Sequence, residues 1–219
     1  MKKIEKIQIK GVIFDFDGTL AHLNINFNDM RNKINKLISA YSLDPDKFKE
    51  KYIIEKIEEA SKIIPAEKKS FFLKDAENTM ISMEIKAAKD SFLFPQTLPV
   101  MKKLKAKNIL IGVITRNCEQ AVLTIFPEIE LYSDIFLPRE RIKKVKPHPF
   151  HLLKVIKKFE IEPKECIMVG DHPMDIVAGK KLGMITVGVL SGSGSFETLK
   201  KEGADYIIPD IGDLFQVIP

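Results

Sequence analysis

Short apolar runs that end in a polar cluster recur along the chain, and helical periodicity follows them. The runs are VIFDF over 12–16, ILIGVIT over 109–115, CIMVG over 166–170 and MITVGVL over 184–190. Strands this uniformly apolar need cover on both faces, which a parallel sheet with helices on each side provides. A shorter run, DIFLP over 134–138, and a last strand near 208 fit the same alternation. Helices are expected over 97–106, 118–126, 149–159 and 174–182, and from 196 onwards. The expected fold class is therefore α/β, a doubly wound, Rossmann-like parallel sheet. In open sheets of this kind a ligand binds beyond the carboxyl ends of the strands.

Residues 21–92 break the alternation. The stretch is free of glycine and helical in pattern. Met30, Ile34, Leu37, Ile38 and Tyr41 fall on one helical face. Asp44 followed by Pro45 reads as the capped start of a second helix running to Ile64, and Pro65 opens a third towards Lys89. The expected organisation is a core formed by 1–20 and 93–219, with an all-helical module inserted over 21–92.

The 219 residues, 45% hydrophobic and 30% charged, suit an ordinary globular core. Cys118 and Cys166 form neither a disulfide framework nor a CxxC metal pair. No apolar run reaches the roughly 18 residues of a membrane helix, and the apolar start is interrupted by Asp15 and Asp17. A cytoplasmic protein with no membrane partner, monomeric or dimeric, is expected. The net charge of +5 includes a local run of Arg139, Arg141, Lys143, Lys144 and Lys146. Such a run reads as a solvated face or as a field that attracts an anionic substrate. Nucleic acid is not the expected partner, because no aromatic interleaving accompanies the charge.

The strand ends carry the chemistry. The first ends in Asp15-Phe16-Asp17-Gly18-Thr19, the second in Thr115-Arg116-Asn117, and a later one in Gly170-Asp171-His172-Pro173-Met174-Asp175. Val145-Lys146-Pro147 precedes a helix. In a parallel sheet these ends share one rim, so four acids, a hydroxyl and a lysine can converge. Crowded carboxylates repel one another unless a cation compensates, and magnesium prefers oxygen ligands. Thr115, Lys146 and backbone amides can supply donors to a phosphate.

The series Asp15-x-Asp17-Gly18-Thr19, Thr115, Lys146-Pro147 and Gly170-Asp171-x-x-x-Asp175 resembles the four-motif signature of the haloacid-dehalogenase-like hydrolases. The insert is similar to the helical cap of their phosphoglycolate-phosphatase and phosphoglucomutase branch. The resemblance implies a magnesium-dependent phosphatase acting on a small phosphorylated metabolite. It implies that Asp15 is the nucleophile and Asp17 the general acid and base. It also implies that Asp15, Asp171 and the Asp17 carbonyl ligate Mg2+, with Asp175 binding directly or orienting the site. Thr115 and Lys146 would hold the phosphoryl group, and Arg116 would join them or point to solvent.

Asp17 favours phosphate esters, since the carbon–halogen branch of that family lacks an acid there. A phosphomutase or a phosphonatase remains an alternative, as does a phospho-accepting receiver module, although a receiver does not explain the Asp15–Asp17 pairing or the helical insert. Asn117 reads as a helix cap, His172 as a rim or loop residue rather than a ligand, and His22 as a residue entering the insert. His22 also departs from the family pattern, which puts phosphoglycolate itself in doubt as the substrate.

Overall fold

Alternation along the first strand sets the layers. The structure, a computed structural model, describes residues 8–218. The reading of the first seven residues as part of the core, not a secretory segment, falls outside the described residues. Strand β1 (Gly11–Asp15) is buried along its whole length. Val12 and Phe14 pack into one apolar cluster, and Ile13 packs into a second on the opposite face.

The chain continues through β2 (Ala21–His22), α1 (Phe27–Ala40), α2 (Ile53–Ser61), α3 (Ala66–Ala88) and β3 (Phe92–Leu93). It then alternates through α4 (Thr97–Ala106), β4 (Leu110–Ile114), α5 (Glu119–Ile125), α6 (Ile129–Tyr132), β5 (Ile135–Leu137) and α7 (Phe150–Phe159). The last elements are β6 (Cys166–Gly170), α8 (Pro173–Lys180), β7 (Ile185–Val189), α9 (Phe196–Lys201), β8 (Tyr206–Ile208) and α10 (Leu214–Val217). The main sheet is parallel, in the order β5-β4-β1-β6-β7-β8. Progress outward from β1 through β4 and β5 reverses at β6, so the crevice for a ligand opens between the ends of β1 and β6.

The helical stretch has a core of its own. Asn26 caps α1 by accepting from the Asp29 amide. Met30, Ile34 and Ile38 of α1 meet Ile57 and Ala60 of α2 and Phe72, Ala76 and Met80 of α3. The second expected helix is interrupted. Asp44 caps only a short 3-10 turn, Pro45–Lys47, after which Phe48 turns extended and buries its ring in this cluster. The chain then runs without helix through bends at Lys51 and Tyr52, and α2 begins at Ile53. Burying the Phe48 ring outweighs helical continuity here, and it directs 49–52 towards the strand ends.

An antiparallel ribbon, with Ala21 opposite Leu93 and His22 opposite Phe92, joins the helical stretch to the sheet. The Thr97 hydroxyl donates to the Leu20 carbonyl at 2.5 Å and ties that junction to α4. Along its far end α3 packs on α5 through Ala88, Ala121 and Cys118. Arg139 donates to both carboxylate oxygens of Glu84 in α3 at 2.7 and 3.1 Å, and both side chains are buried. No helix among the described residues is long and apolar enough to cross a membrane.

Candidate active site

Asp15 closes β1, and Phe16 begins a tight turn that returns the chain to Ala21. Gly18 makes this turn possible with φ +77. A β-carbon there would approach the Asp171 carboxyl to 2.6 Å, so the glycine also allows two acidic strand ends to meet. Thr115 follows β4, and Asp171 follows β6. Lys146 arrives from the segment before α7 and is only 2% exposed. Asp175 lies in the first turn of α8 and is fully buried.

The structure brings Asp15, Asp17, Thr115, Arg116, Lys146, Asp171 and Asp175 to one cavity of about 600 Å³ between the strand ends and the helical stretch. Lys146 Nζ sits between Asp15 at 2.7 Å and Asp175 at 2.5 Å. Asp15 Oδ1 accepts from Lys146 and from the Phe16 amide at 2.7 Å. Its Oδ2 accepts no hydrogen bond among the described residues, which leaves that oxygen free to react or to bind a cation. Asp171 is held in a similar way: Oδ2 accepts from the Ser193 amide at 2.6 Å and hydroxyl at 2.9 Å. Asp17 Oδ1 accepts from the Leu23 amide at 3.1 Å, just past the ribbon.

Burial raises the acids. Asp15 is pushed up to about 6 by burial, against the lowering pull of Lys146. Asp171 is pushed up to about 6 by burial and by the charge of Asp15. Asp17 rises to about 8, through burial and then the charges of Asp15 and Asp171. Those surroundings favour its protonated form. Lys146 is driven the other way by burial, but Asp15 and Asp175 outweigh that and keep it protonated.

Asp15, Asp171 and Asp175 each place a carboxylate oxygen within 4.8 Å of the others. This all-oxygen set, with elevated proton affinity and only one lysine against it, suits a hard divalent cation. Asp175 is the least available of the three, because its oxygens already face Lys146 and the His172 amide.

The neighbouring residues divide clearly. His172 caps α8: its Nδ1 accepts from the Met174 amide, and burial lowers it to about 4. That is the loop role expected of it. Asn117 does not act as the expected helix cap. Cys118 occupies that position, while the Asn117 side-chain amide nitrogen is buried with no partner among the described residues and the residue lines the cavity. Arg116 also lines the cavity, but its guanidinium is engaged by Glu55 of α2 at 2.6 and 2.7 Å and by the Lys146 carbonyl. His22 is exposed at the cavity edge, its ring 5.4 Å from that of Phe92.

Sequence reasoning missed the loop after β7. Ser193 holds Asp171, and the Ser191 hydroxyl donates to the Gly18 carbonyl at 2.7 Å. Gly192 and Gly194 lie so close to Asp171 that a β-carbon at either would overlap it. The run Ser191-Gly-Ser-Gly-Ser195 directly after a strand was the available signal.

Comparison with known proteins agrees with this geometry. Residues 12–189 match the family model described as haloacid dehalogenase-like hydrolase. A phosphoglycolate phosphatase of Haemophilus influenzae is 24% identical, covering 96% of this chain and 99% of its own. Among solved structures, a phosphonoacetaldehyde hydrolase-like protein from Oleispira antarctica superposes with TM-score 0.68 at 17% identity, covering 99% of this chain and 94% of its own. CbbY from Rhodobacter sphaeroides, solved with phosphate, superposes with TM-score 0.66 at 17% identity, covering 94% and 96%. At that identity these two likenesses speak for the fold alone. With the sheet order, the converging strand ends and a family match over most of its length, this chain belongs to the haloacid dehalogenase-like hydrolases.

Proposed function

We propose that this protein is a magnesium-dependent phosphatase that hydrolyses a small phosphomonoester through an aspartyl-phosphate on Asp15. The observation that carries the reading is the asymmetry of Asp15. One carboxylate oxygen is fixed by the Phe16 amide and Lys146, while the other faces the cavity without a hydrogen bond among the described residues. A nucleophile needs that combination of fixed orientation and an open lone pair.

In the first step Asp15 Oδ2 bonds to phosphorus as the bond from phosphorus to the leaving oxygen breaks. Asp17, protonated by its surroundings, delivers its proton to that oxygen. In the second step water attacks phosphorus and gives a proton to Asp17, and the bond from Oδ2 to phosphorus breaks. The Thr115 hydroxyl, the Lys146 ammonium and the unpaired Asn117 amide are the donors placed to hold the phosphoryl oxygens. Asp15, Asp171 and the Asp17 carbonyl would hold magnesium, with Asp175 orienting the group through Lys146 and the His172 amide. When bound, magnesium supplies charge compensation for the acids and polarises a phosphate oxygen. The Haemophilus relative named for phosphoglycolate supports a small phosphorylated metabolite as substrate. Two free, buried thiols fit a reducing, cytoplasmic setting.

The test is turnover of phenyl phosphate by the wild type and by Asp15→Asn, each with magnesium and with chelator. The reading predicts turnover only for the wild type with magnesium. Equal turnover by Asp15→Asn, or none by either protein on a broad panel of phosphomonoesters, overturns it.

A further inference from the structure

Away from the acids the cavity changes character. Leu23, Phe27, Met30, Ile53 and Ile54 line it from the ribbon, α1 and the start of α2. Phe27 is 55% exposed although it faces a cavity that could cover it. A large apolar side chain in that position gains stability when a ligand displaces its water.

The guanidinium groups along this wall are already engaged. The Arg31 guanidinium donates to the backbone carbonyls of Glu50 and Lys51. Arg116 is paired with Glu55, and Lys146 lies between two aspartates. Lys51 is exposed, with its ammonium 5.5 Å from the centre of the Tyr52 ring. Among the described residues, the one cation this wall offers a second anionic group without a hydrogen bond to protein is the exposed Lys51, so the desolvation of that group would be poorly compensated. The space also exceeds what a phosphoryl group with a two-carbon acid fills, since cavities of roughly 300–1,000 Å³ enclose much larger ligands.

We propose that the leaving group is uncharged and carries an apolar body of aryl or hexyl size, packed against Phe27, Met30, Ile53 and Ile54. This rests on the phosphomonoester reading above and specifies its substrate class. It makes Phe27 and Ile54 determinants of specificity, separate from the acids that perform the chemistry.

The experiment measures binding apart from turnover. Calorimetric titration of the full chain in magnesium chloride uses methylphosphonate, phosphonoacetate, phenylphosphonate and hexylphosphonate, none of which can be hydrolysed by the route proposed. Phenyl- and hexylphosphonate are expected to bind at least about tenfold tighter than methylphosphonate, because each buried methylene adds to affinity. Phosphonoacetate is expected to gain nothing over methylphosphonate. In Phe27→Ala and Ile54→Ala the hexyl-to-methyl affinity ratio should fall at least about threefold. Equal affinities, no binding by any of the four, tighter binding of phosphonoacetate, or a ratio unmoved by both variants overturns the inference. Phenyl phosphate turnover is measured alongside. Turnover without the affinity order sinks the leaving-group inference alone; the affinity order without turnover supports the apolar chamber and counts against the phosphatase reading.

Discussion

The two walls of the cavity are built on opposite principles. The strand-end wall is polar, buried and held by donors at every acid: Lys146 and Phe16 on Asp15, Ser193 on Asp171, Leu23 on Asp17. The helical wall is largely apolar, partly exposed and roomy, and its guanidinium groups bond to protein groups. The difference teaches a division of labour. Fixed donors in a low-dielectric rim set the reaction, because charge interactions are strong and reorganisation small there. An adaptable apolar wall selects a leaving group without disturbing that rim.

The largest expected effect lies on the strand-end wall. Lys146→Ala leaves Asp15 and Asp175 buried without their shared cation. Turnover should fall by at least about a thousandfold, as for loss of a group that both orients the nucleophile and binds phosphate. Steady-state kinetics with phenyl phosphate reads this, and a loss under tenfold would mean the ammonium is not part of the reacting arrangement.

The next effect compares two of the ion pairs between the helical stretch and the core. Arg139→Ala strands Glu84, which is 4% exposed, and should destabilise the protein by about 3–5 kcal/mol. Arg116→Ala removes a less buried, bidentate pair with Glu55 and should cost less, about 1–2 kcal/mol. Urea denaturation of both variants decides between them, and similar losses would erase the distinction between a buried anchor and a partly buried contact.

Ser193→Ala should be milder in kind. It removes the hydroxyl bond to Asp171 and keeps the amide bond. The magnesium concentration giving half-maximal activity should rise about tenfold, the usual scale for a residue that orients a ligand. An unchanged requirement would mean the backbone of the 191–195 loop suffices.

The last effect is thermal. The Asp17 carboxyl is raised to about 8 from an ordinary value of 3.8, so the folded state holds its proton more tightly than the unfolded chain does. Its contribution to stability is therefore full at low pH and is lost as pH rises between about 4 and 8. Asp17→Asn cannot lose that proton. In chelator, the melting temperature of the variant relative to wild type should climb by roughly ten degrees from about pH 5 to about pH 9. A relative melting temperature that is flat or falls over that range would place Asp17 in ordinary, solvated surroundings.

The strand-end wall was legible in the sequence because its residues sit at fixed offsets from apolar strands. Asp15, Asp17, Thr115, Lys146, Asp171 and Asp175 all reach the cavity from the segments expected to carry them. The helical wall was less legible. Its helix faces followed from Met30, Ile34 and Ile38, but the break after Lys47 did not, because burying the Phe48 ring is a tertiary effect with no local signal. The partner of Arg116 was equally hidden, since Glu55 lies far away in sequence and meets it only when α2 crosses the rim. Asn117 was read as a cap because caps are judged on neighbours alone; only the folded chain reveals its unpaired amide.

The most direct test of the account is a rapid-quench single turnover with a substrate radiolabelled at phosphorus, followed by peptide mapping. The label should appear transiently on the peptide carrying Asp15, decay as inorganic phosphate forms, and never appear in Asp15→Asn. Phosphate release with no label on the protein at any time, or label on a different residue, would contradict it.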